Sequence, residues 1–262
     1  MNYKTLFFDV DGTLVSFNTH AIPQSAIESI TLAKQRGVKV FISTGRPMRL
    51  INNLGAIEHL VDGYITANGA CCAIGGEVTD CREIPKHEAG ALVEAARREG
   101  FAMLVVGEKE LTVVNDGDDI DRYFRRMLDV KDLGEDTSLD TVLAQRIVQL
   151  TPVIPEADER RLMPLLPSCV SARWFPAFTD ITARGADKGT ALKTVAAHLG
   201  ISAEETMAFG DGGNDKSILQ AAGTGIAMGN APDDVKAAAD YVTASVDDDG
   251  VAKAIRKFLL RN

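Results

Sequence analysis

An apolar run near the start of the chain ends in two acidic residues, and this feature constrains the fold more than any other. The segment Leu6–Leu14 reads Leu-Phe-Phe-Asp-Val-Asp-Gly-Thr-Leu. The apolar part has the length of a buried strand, and alternate side chains of an extended chain share a face, so Asp9 and Asp11 can point the same way. Two carboxylates beside a flexible Gly-Thr turn suit a hard cation. The alternative is a strand that simply runs into an acidic turn.

Strand and helix patterns alternate in the first part of the chain. The sequence predicts strands over Leu6–Asp9, Val38–Ile42 and Gly63–Thr66, a helix over Gln24–Arg36, and a further helix beginning at Pro47. Such alternation predicts a parallel sheet with helices on both faces.

The same alternation returns at the end of the chain. The predicted elements there are a helix over Lys188–Leu199, a strand over Thr206–Phe209, a helix over Asn214–Ala222, a strand over Gly225–Met228, a helix from Pro232 to Ala239, a strand over Tyr241–Thr243 and a helix over Val251–Leu260.

The middle of the chain has paired strands instead. Its predicted elements are helices over Glu88–Arg98, Ile120–Leu128 and Glu156–Leu166, and strands over Ala102–Val106, Leu111–Val114, Ile147–Leu150 and Cys169–Trp174, with a hairpin turn at 107–110. We therefore expect an α/β fold in which a parallel-sheet core, residues 1–81 and 184–262, carries an inserted α+β module over residues 82–183.

Length and charge exclude several classes of protein. A chain of 262 residues suggests one large domain or two smaller ones, at about 150 residues per domain. The net charge of -9 argues against nonspecific binding to nucleic acid or anionic membranes. No apolar run approaches the ~18 residues that span a bilayer. Because Met1–Lys4 leads directly into the first strand, we expect no signal peptide.

The cysteines indicate a reducing compartment. The chain has four, at positions 71, 72, 81 and 169, and no Cys-x-x-Cys motif. We expect reduced thiols and a cytoplasmic location. A zinc site is not expected, because none of the four histidines has ligand spacing to a cysteine.

Chemically reactive residue types follow the predicted core strands. Asp9–Thr13 follows the first strand, Ser43–Arg46 the second and Gly210–Asp215 the strand over Thr206–Phe209, while Lys188 begins a helix. Ligands bind outside the carboxyl ends of the strands in an open parallel sheet. These segments are therefore expected to converge on one crevice.

The combined residue set is what phosphoryl transfer through a carboxylate nucleophile requires. Asp9 can attack a phosphomonoester only if the phosphate charge is neutralised, as Mg²⁺ and Lys188 can do. Asp9, Asp211 and a backbone carbonyl near Asp11 can supply oxygen ligands to Mg²⁺. Thr44 can hydrogen-bond a phosphoryl oxygen. Asp11 is placed to protonate the leaving oxygen and later to deprotonate water.

Each segment also has a plainer interpretation. Ser43–Gly45 can be an ordinary turn, Arg46 a surface side chain, and Gly210–Asp215 a loop with a helix cap. Lys188 can be a solvated lysine, although a cation is unfavourable at a helix N-terminus. Asp247–Asp249 is expected to be a solvated acidic turn that begins the last helix.

The ordered motifs resemble those of the haloacid dehalogenase superfamily of phosphatases, and more narrowly the Cof-type sugar phosphatases with a class II (type B) cap. The motifs are Asp9-x-Asp11-Gly12-Thr13, Ser43-Thr44-Gly45-Arg46, Lys188 and Gly210-Asp211-x-x-Asn214-Asp215, and Asn68–Ala70, Gly225–Ala231 and Ala239–Thr243 also fit. The resemblance covers essentially the whole chain. It implies a Rossmann-like core and makes residues 82–183 a cap domain that sets substrate specificity.

The resemblance also implies residue roles. Asp9 would be the nucleophile, Asp11 the general acid/base, and Thr44 and Lys188 would bind the transferring phosphoryl group. Mg²⁺ would be held by Asp9, Asp11 and Asp211, with Asp215 in a supporting position. The substrate-binding residues would be Gly12, Thr13, Gly45, Arg46, Asn68 and Asn214.

We therefore expect a Mg²⁺-dependent phosphomonoesterase acting on small hexose or pentose phosphates. Two alternatives remain open: a sugar phosphomutase, and a noncatalytic sugar-phosphate sensor on the same fold. The paired acids Asp9 and Asp11 argue against a sensor, which needs neither. The expected partner is a small phosphorylated molecule, with no nucleic acid or membrane, and the expected state is a monomer or weak homo-oligomer.

Overall fold

The computed structural model of this chain describes residues 3–128 and 130–260. Met1 and Asn2, which belong to the stretch where no signal peptide is expected, lie outside the described residues. The first of two structural units runs to Gly45 and includes Asn53–Asp80 and the chain from Asp187 onward. The second comprises Arg46–Asn52 and Cys81–Ala186. The expected boundaries at 81/82 and 183/184 lie close to these, but Arg46–Asn52 groups with the second unit.

The strands are, in chain order, β1 (Thr5–Phe8), β2 (Lys39–Ser43), β3 (Gly63–Thr66), β4 (Cys71–Ile74), β5 (Glu77–Cys81), β6 (Met103–Gly107), β7 (Leu111–Val114), β8 (Ile147–Pro152), β9 (Cys169–Phe175), β10 (Phe178–Ala183), β11 (Thr206–Gly210), β12 (Thr224–Ala227) and β13 (Tyr241–Val242).

The α-helices are α1 (Gln24–Gln35), α2 (Lys86–Glu99), α3 (Asp118–Ile120), α4 (Leu139–Leu143), α5 (Glu156–Leu162), α6 (Lys188–Leu199), α7 (Lys216–Ala221), α8 (Asp233–Lys236) and α9 (Gly250–Phe258). A π-helix continues α3 over Asp121–Met127. Short 3₁₀ turns lie at Met48–Leu50, Glu58–Leu60, Ala67–Gly69, Met163–Leu165, Ala203–Glu205, Gly213–Asp215 and Val246–Asp248.

The first unit is built on one eight-stranded sheet in the order β13-β12-β11-β1-β2-β3-β4-β5. The six strands from β13 to β3 run parallel, as the sequence predicts. The sheet is mixed rather than wholly parallel, because β4 pairs antiparallel with β3. Strands β4 and β5 were not predicted, although the Gly75-Gly76 dipeptide between them is a hairpin-turn signal. Both glycines have a positive φ in the structure.

Close packing of α6 on the sheet forms the core of this unit. Phe7, Phe41 and Ile65 belong to one buried cluster with Leu192 and Val195 of α6. Helices α6 and α7 approach closely because Gly189 has no side chain: a Cβ there would lie 2.3 Å from the Ser217 carbonyl oxygen. This packing places the first residue of α6 against the ends of the central strands.

The second unit has its own five-stranded antiparallel sheet, in the order β7-β6-β8-β10-β9. Helix α2 covers one face, with Leu92 and Ala96 in a buried cluster with Val105, Leu150 and Ile181. The predicted hairpin between β6 and β7 is confirmed. Strand β10 and helix α4 were not predicted.

Five predicted helices differ from the structure. The helix predicted over Glu156–Leu166 is α5 followed by the 3₁₀ turn Met163–Leu165. The helix predicted from Pro47 is only the 3₁₀ turn Met48–Leu50, and the one over Ile120–Leu128 is mostly π-helical. The helix predicted over Asn214–Ala222 is a 3₁₀ turn followed by α7, and the one over Pro232–Ala239 is the single-turn α8. These segments are short, so backbone contacts rather than periodicity decide their conformation.

The expectation of reduced thiols is wrong for two of the four cysteines. Cys71 and Cys81, at the ends of the neighbouring strands β4 and β5, are disulfide-bonded, whereas Cys72 and Cys169 are buried and form no disulfide. The two bonded cysteines lie on β4 and β5, neither of which the sequence predicts. Within the described residues, no helix has both the length and the apolar character needed to cross a bilayer.

Candidate active site

The carboxyl ends of three adjacent strands bring the first motifs together. Strand β1 lies between β11 and β2 and runs parallel to both. The pairing continues past the strand ends, because Asp9 N donates to Phe209 O at 3.0 Å and Thr44 N donates to Ile65 O at 2.9 Å. Asp9, Thr44 and Asp211 therefore lie at the same edge of the sheet.

Lys188 is directed into this edge from the start of α6. Asp187 caps the helix, accepting from Thr190 N at 2.9 Å. The Lys188 side chain is fully buried, and its Nζ donates to Asp9 Oδ1 at 2.7 Å and to Asp215 Oδ1 at 2.6 Å. A cation at a helix N-terminus opposes the helix dipole. Two carboxylate contacts offset that cost, so the position of Lys188 is not explained by solvation.

Asp215 supports the cluster with both carboxylate oxygens. Oδ1 accepts from Lys188, and Oδ2 accepts from the backbone N–H groups of Asp211 at 3.0 Å and Gly212 at 2.8 Å. Gly210 leaves room for this carboxylate, since a Cβ there would lie 2.4 Å from Asp215 Cβ. The Asp215 carboxylate therefore determines the conformation of the loop after β11, and through the bond to Asp211 N it holds Asp211 in place.

The Asp211 carboxylate is held from two sides. Thr13 Oγ1 donates to Oδ1 at 2.8 Å, and Asn230 Nδ2 donates to Oδ2 at 3.1 Å. Gly12 sits against the same carboxylate at a φ of +86°, and a Cβ there would lie 2.2 Å from Asp211 Oδ2. Only glycine combines this backbone conformation with such close approach.

Thr44 and the loop after β3 form a second connected group. Asn68 N donates to Thr44 O at 3.1 Å, and Asn214 Nδ2 donates to Asn68 Oδ1 at 2.8 Å. Gly45 lies beside them, where a Cβ would be 3.0 Å from Asn68 Oδ1. Asn68 itself has a φ of 53°, a left-handed conformation that asparagine tolerates better than most residues. Asn214, which is expected to bind substrate, uses one of its amide hydrogens to donate to Asn68.

The remaining predicted residues are Asp11 and Arg46. Asp11 is half-buried, and its charge contributes to raising the pKa of Asp211, although burial is the main cause. Arg46 belongs to the second unit, where its guanidinium donates to Leu50 O at 3.2 Å and Asn52 Oδ1 at 3.4 Å.

The pKa values of this cluster reflect burial first and the neighbouring charges second. Burial raises the pKa of Asp9 well above its usual value, and the Asp215 carboxylate raises it further against the opposing effect of Lys188. Burial likewise raises the pKa of Asp211 to about 6. Burial alone would lower the pKa of Lys188, but Asp215 and Asp9 raise it above its usual value, so the amine stays charged.

The cluster fits a hard divalent cation. Carboxylate oxygens of Asp9, Asp211 and Asp215 lie within 4.8 Å of one another, and the only ammonium bonded to this trio is that of Lys188 among the described residues. Three carboxylates facing one ammonium leave a deficit of positive charge that Mg²⁺ would fill. Asp9 and Asp211 are better suited as ligands than Asp215, because Asp215 already accepts three hydrogen bonds, one of them from the Lys188 ammonium, whereas each oxygen of Asp211 accepts one.

Asn230 is a further residue of this site that was not predicted from the sequence. Its amide contacts both Asp211 and the Gly12 carbonyl oxygen. The available signal was its place in the segment Gly225–Ala231, which fits the family pattern but was given no role.

The chain is similar to known proteins over nearly its whole length. Residues 6–255 match the family of haloacid dehalogenase-like hydrolases. The HAD subclass IIB sugar phosphatase BT4131 is 45% identical, with 97% of this chain and 98% of BT4131 covered and a TM-score of 0.88. The phosphatase BT1666 from Bacteroides thetaiotaomicron is 34% identical, with 98% and 95% covered and a TM-score of 0.84.

A curated relative of similar length is also a phosphatase. The 5-amino-6-(5-phospho-D-ribitylamino)uracil phosphatase YcsE of Bacillus subtilis is 28% identical over 269 residues, which cover 99% of this chain and 97% of YcsE.

Proposed function

This chain belongs to the haloacid dehalogenase-like hydrolases, and we propose that it is a Mg²⁺-dependent phosphomonoesterase that hydrolyses small sugar phosphates through an aspartyl-phosphate at Asp9. The observation that carries the proposal is the buried Lys188 ammonium, which is shared by Asp9 and Asp215 at 2.7 and 2.6 Å. It places a fixed positive charge beside the proposed nucleophile, where the phosphate charge must be neutralised.

Each residue has a defined part in the proposed reaction. A carboxylate oxygen of Asp9 attacks phosphorus, and the bond from phosphorus to the sugar oxygen breaks while Asp11 donates a proton to that oxygen. Water then attacks phosphorus and gives its proton to Asp11, and the bond from phosphorus to Asp9 breaks. Inorganic phosphate leaves, and Asp9 and Asp11 return to their starting states.

Other groups bind the phosphate and the cation. Lys188 and Thr44 hold the phosphoryl oxygens, and Asp9, Asp211 and the Asp11 backbone carbonyl are the proposed cation ligands. When bound, Mg²⁺ would supply positive charge to the transferring phosphoryl group. The remaining proposed substrate-binding residues are Gly12, Thr13, Gly45, Arg46, Asn68 and Asn214, with Asp215 orienting Lys188.

Similarity to a sugar phosphatase supports the proposed substrate class. BT4131 is 45% identical to this chain over nearly its whole length. We assign substrate selection to the second unit, because its antiparallel sheet is an insertion into the catalytic core. Insertions of this kind can close over a site and exclude water from it.

Phosphate release from a panel of substrates tests the proposal. The panel contains hexose and pentose phosphates, nucleotides and 4-nitrophenyl phosphate, each assayed with Mg²⁺ and with chelator. Asp9→Asn is assayed alongside, with Asp240→Asn as the matched control, because Asp240 accepts from Gly225 N at 2.8 Å at the opposite edge of the sheet.

We expect release that needs Mg²⁺, is fastest with sugar phosphates, persists in Asp240→Asn and disappears in Asp9→Asn. If the folded Asp9→Asn variant kept its activity, the assignment of Asp9 as the nucleophile would be refuted. Transfer of phosphate to a second sugar without release would identify a phosphomutase. Binding without turnover would identify a sensor.

A further inference from the structure

The Asn230 side chain connects two loops of the proposed active site. Its Nδ2 donates to Gly12 O at 2.9 Å and to Asp211 Oδ2 at 3.1 Å. An amide nitrogen has two hydrogens, so both bonds form at once. The first acceptor lies in the loop after β1 and the second in the loop after β11, so one side chain holds both loops at a fixed separation.

A third hydrogen bond fixes the orientation of this amide. Val246 N donates to Asn230 Oδ1 at 3.1 Å. Because a backbone N–H requires an acceptor, the oxygen of Asn230 must face Val246 and the nitrogen must face Gly12 and Asp211. Asn230 is exposed, yet the three bonds leave its amide one orientation.

The segment that anchors Asn230 is itself tied to the loop after β1. Asp247 accepts from Ser16 Oγ at 2.5 Å and from Asn18 Nδ2 at 2.6 Å. Asp247 is exposed, as expected of an acidic turn, but its carboxylate also fastens this loop. The segment that contains Val246 is therefore connected by hydrogen bonds to the loop that contains Gly12.

We propose that Asn230 is a positioning residue that orients the Asp211 carboxylate and the Gly12 backbone for the divalent cation, and thereby raises the affinity for that cation. The inference rests on the proposed cation dependence. Thr13 donates to Oδ1 of Asp211 and Asn230 donates to Oδ2, so each carboxylate oxygen is held by a different side chain.

These bonds leave Asp211 able to bind a cation. Each carboxylate oxygen can accept more than one interaction, so a single hydrogen bond on each still leaves room for a metal. Without Asn230 the carboxylate can rotate, and cation binding must then fix it again. Loss of a partner that orients a metal ligand typically weakens metal affinity by about 10- to 100-fold.

Direct cation binding by Asn230→Ala tests the inference. The dissociation constants of Mn²⁺ and Mg²⁺ are measured by calorimetry on the full chain without substrate, together with thermal stability. Asn115→Ala is the matched control, because Asn115 is an exposed asparagine whose Nδ2 donates to Ala96 O and Phe101 O in the second unit. Phosphate release against Mg²⁺ concentration separates cation affinity from turnover.

We expect Asn230→Ala to bind both cations about 10-fold or more weakly, with turnover largely recovered at saturating Mg²⁺, while Asn115→Ala binds them like the wild type. If Asn230→Ala binds the cations as tightly as the wild type, the proposed positioning role of Asn230 is wrong. That result would not contradict the proposed phosphatase function. A wild-type chain that binds neither cation would instead overturn the cation dependence on which the inference rests.

Discussion

Lys188 Nζ lies 2.6 Å from Asp215 Oδ1, and both side chains are completely excluded from solvent. Asp215 Oδ2 is taken by two backbone N–H groups, so this pair connects the start of α6 to the loop after β11. The ammonium also reaches Asp9. One buried ion pair thus links the fold of the core to the proposed nucleophile.

We expect Lys188→Met to remove activity and to lower the free energy of unfolding by about 3–5 kcal/mol, because it leaves buried carboxylates without a countercharge. Urea denaturation and phosphate release measure the two effects. Lys193→Met is the control, since Lys193 is exposed on the same helix. A Lys188→Met protein as stable as Lys193→Met would contradict the role of the pair.

Asp11→Asn should affect substrates according to their leaving group. A sugar alkoxide needs a proton as it leaves, so we expect kcat with a sugar phosphate to fall by about 10²- to 10⁴-fold. The 4-nitrophenolate leaves without a proton, so formation of the aspartyl-phosphate from 4-nitrophenyl phosphate should be slowed much less. Burst kinetics with both substrates check this. Equal slowing of that step for both would exclude Asp11 as the acid.

Gly12→Ala should lower cation affinity and activity, because its Cβ would lie 2.2 Å from Asp211 Oδ2 at a φ of +86°. Gly37→Ala provides the control: Gly37 has a φ of +81° and nothing within 4 Å of the added Cβ. Both changes cost about 1–2 kcal/mol of backbone strain, but only Gly12→Ala displaces Asp211. Thermal melts and phosphate release distinguish the two. Equal activity of the two variants would mean that the close approach of Gly12 to the Asp211 carboxylate is not required for activity.

The second unit should lose stability in acid through Glu88. Burial would raise the pKa of Glu88, but hydrogen bonds from Ser168 and Cys169 outweigh it and lower that pKa below its usual value. A lowered pKa stabilises the fold above the unfolded pKa of about 4.3, and this contribution is lost as pH falls through the folded pKa.

We therefore expect Glu88→Gln to be less stable than the wild type by about 1–3 kcal/mol at pH 7, with the difference shrinking below about pH 4. Denaturant titrations across this range test it. Glu94→Gln, an exposed change on the same helix, should show no such trend. A wild-type advantage over Glu88→Gln that stays constant down to acid pH would rule out the ionised carboxylate as its source.

Features with a local cause were predictable from the sequence. Alternating strands and helices predicted the six parallel strands, and β3 and α6 have the predicted bounds. The convergence of Asp9, Thr44 and Asp211 followed from a general property of parallel sheets, whose carboxyl strand ends share one edge. The helices predicted at α8 and after Pro47 were wrong in length or type, because the conformation of a short segment depends on its surroundings more than on its own hydrophobic periodicity.

The sequence by itself determined which residue types stand at the ends of the core strands, and with them the family and the class of chemistry. Only the tertiary structure decided how those residues are paired. Lys188 and Asp9 are 179 residues apart, and Asn230 and Gly12 are 218 apart. Such contacts cannot be predicted from a local sequence pattern. They depend on the order of strands in the sheet and on the close packing at Gly12, Gly189 and Gly210.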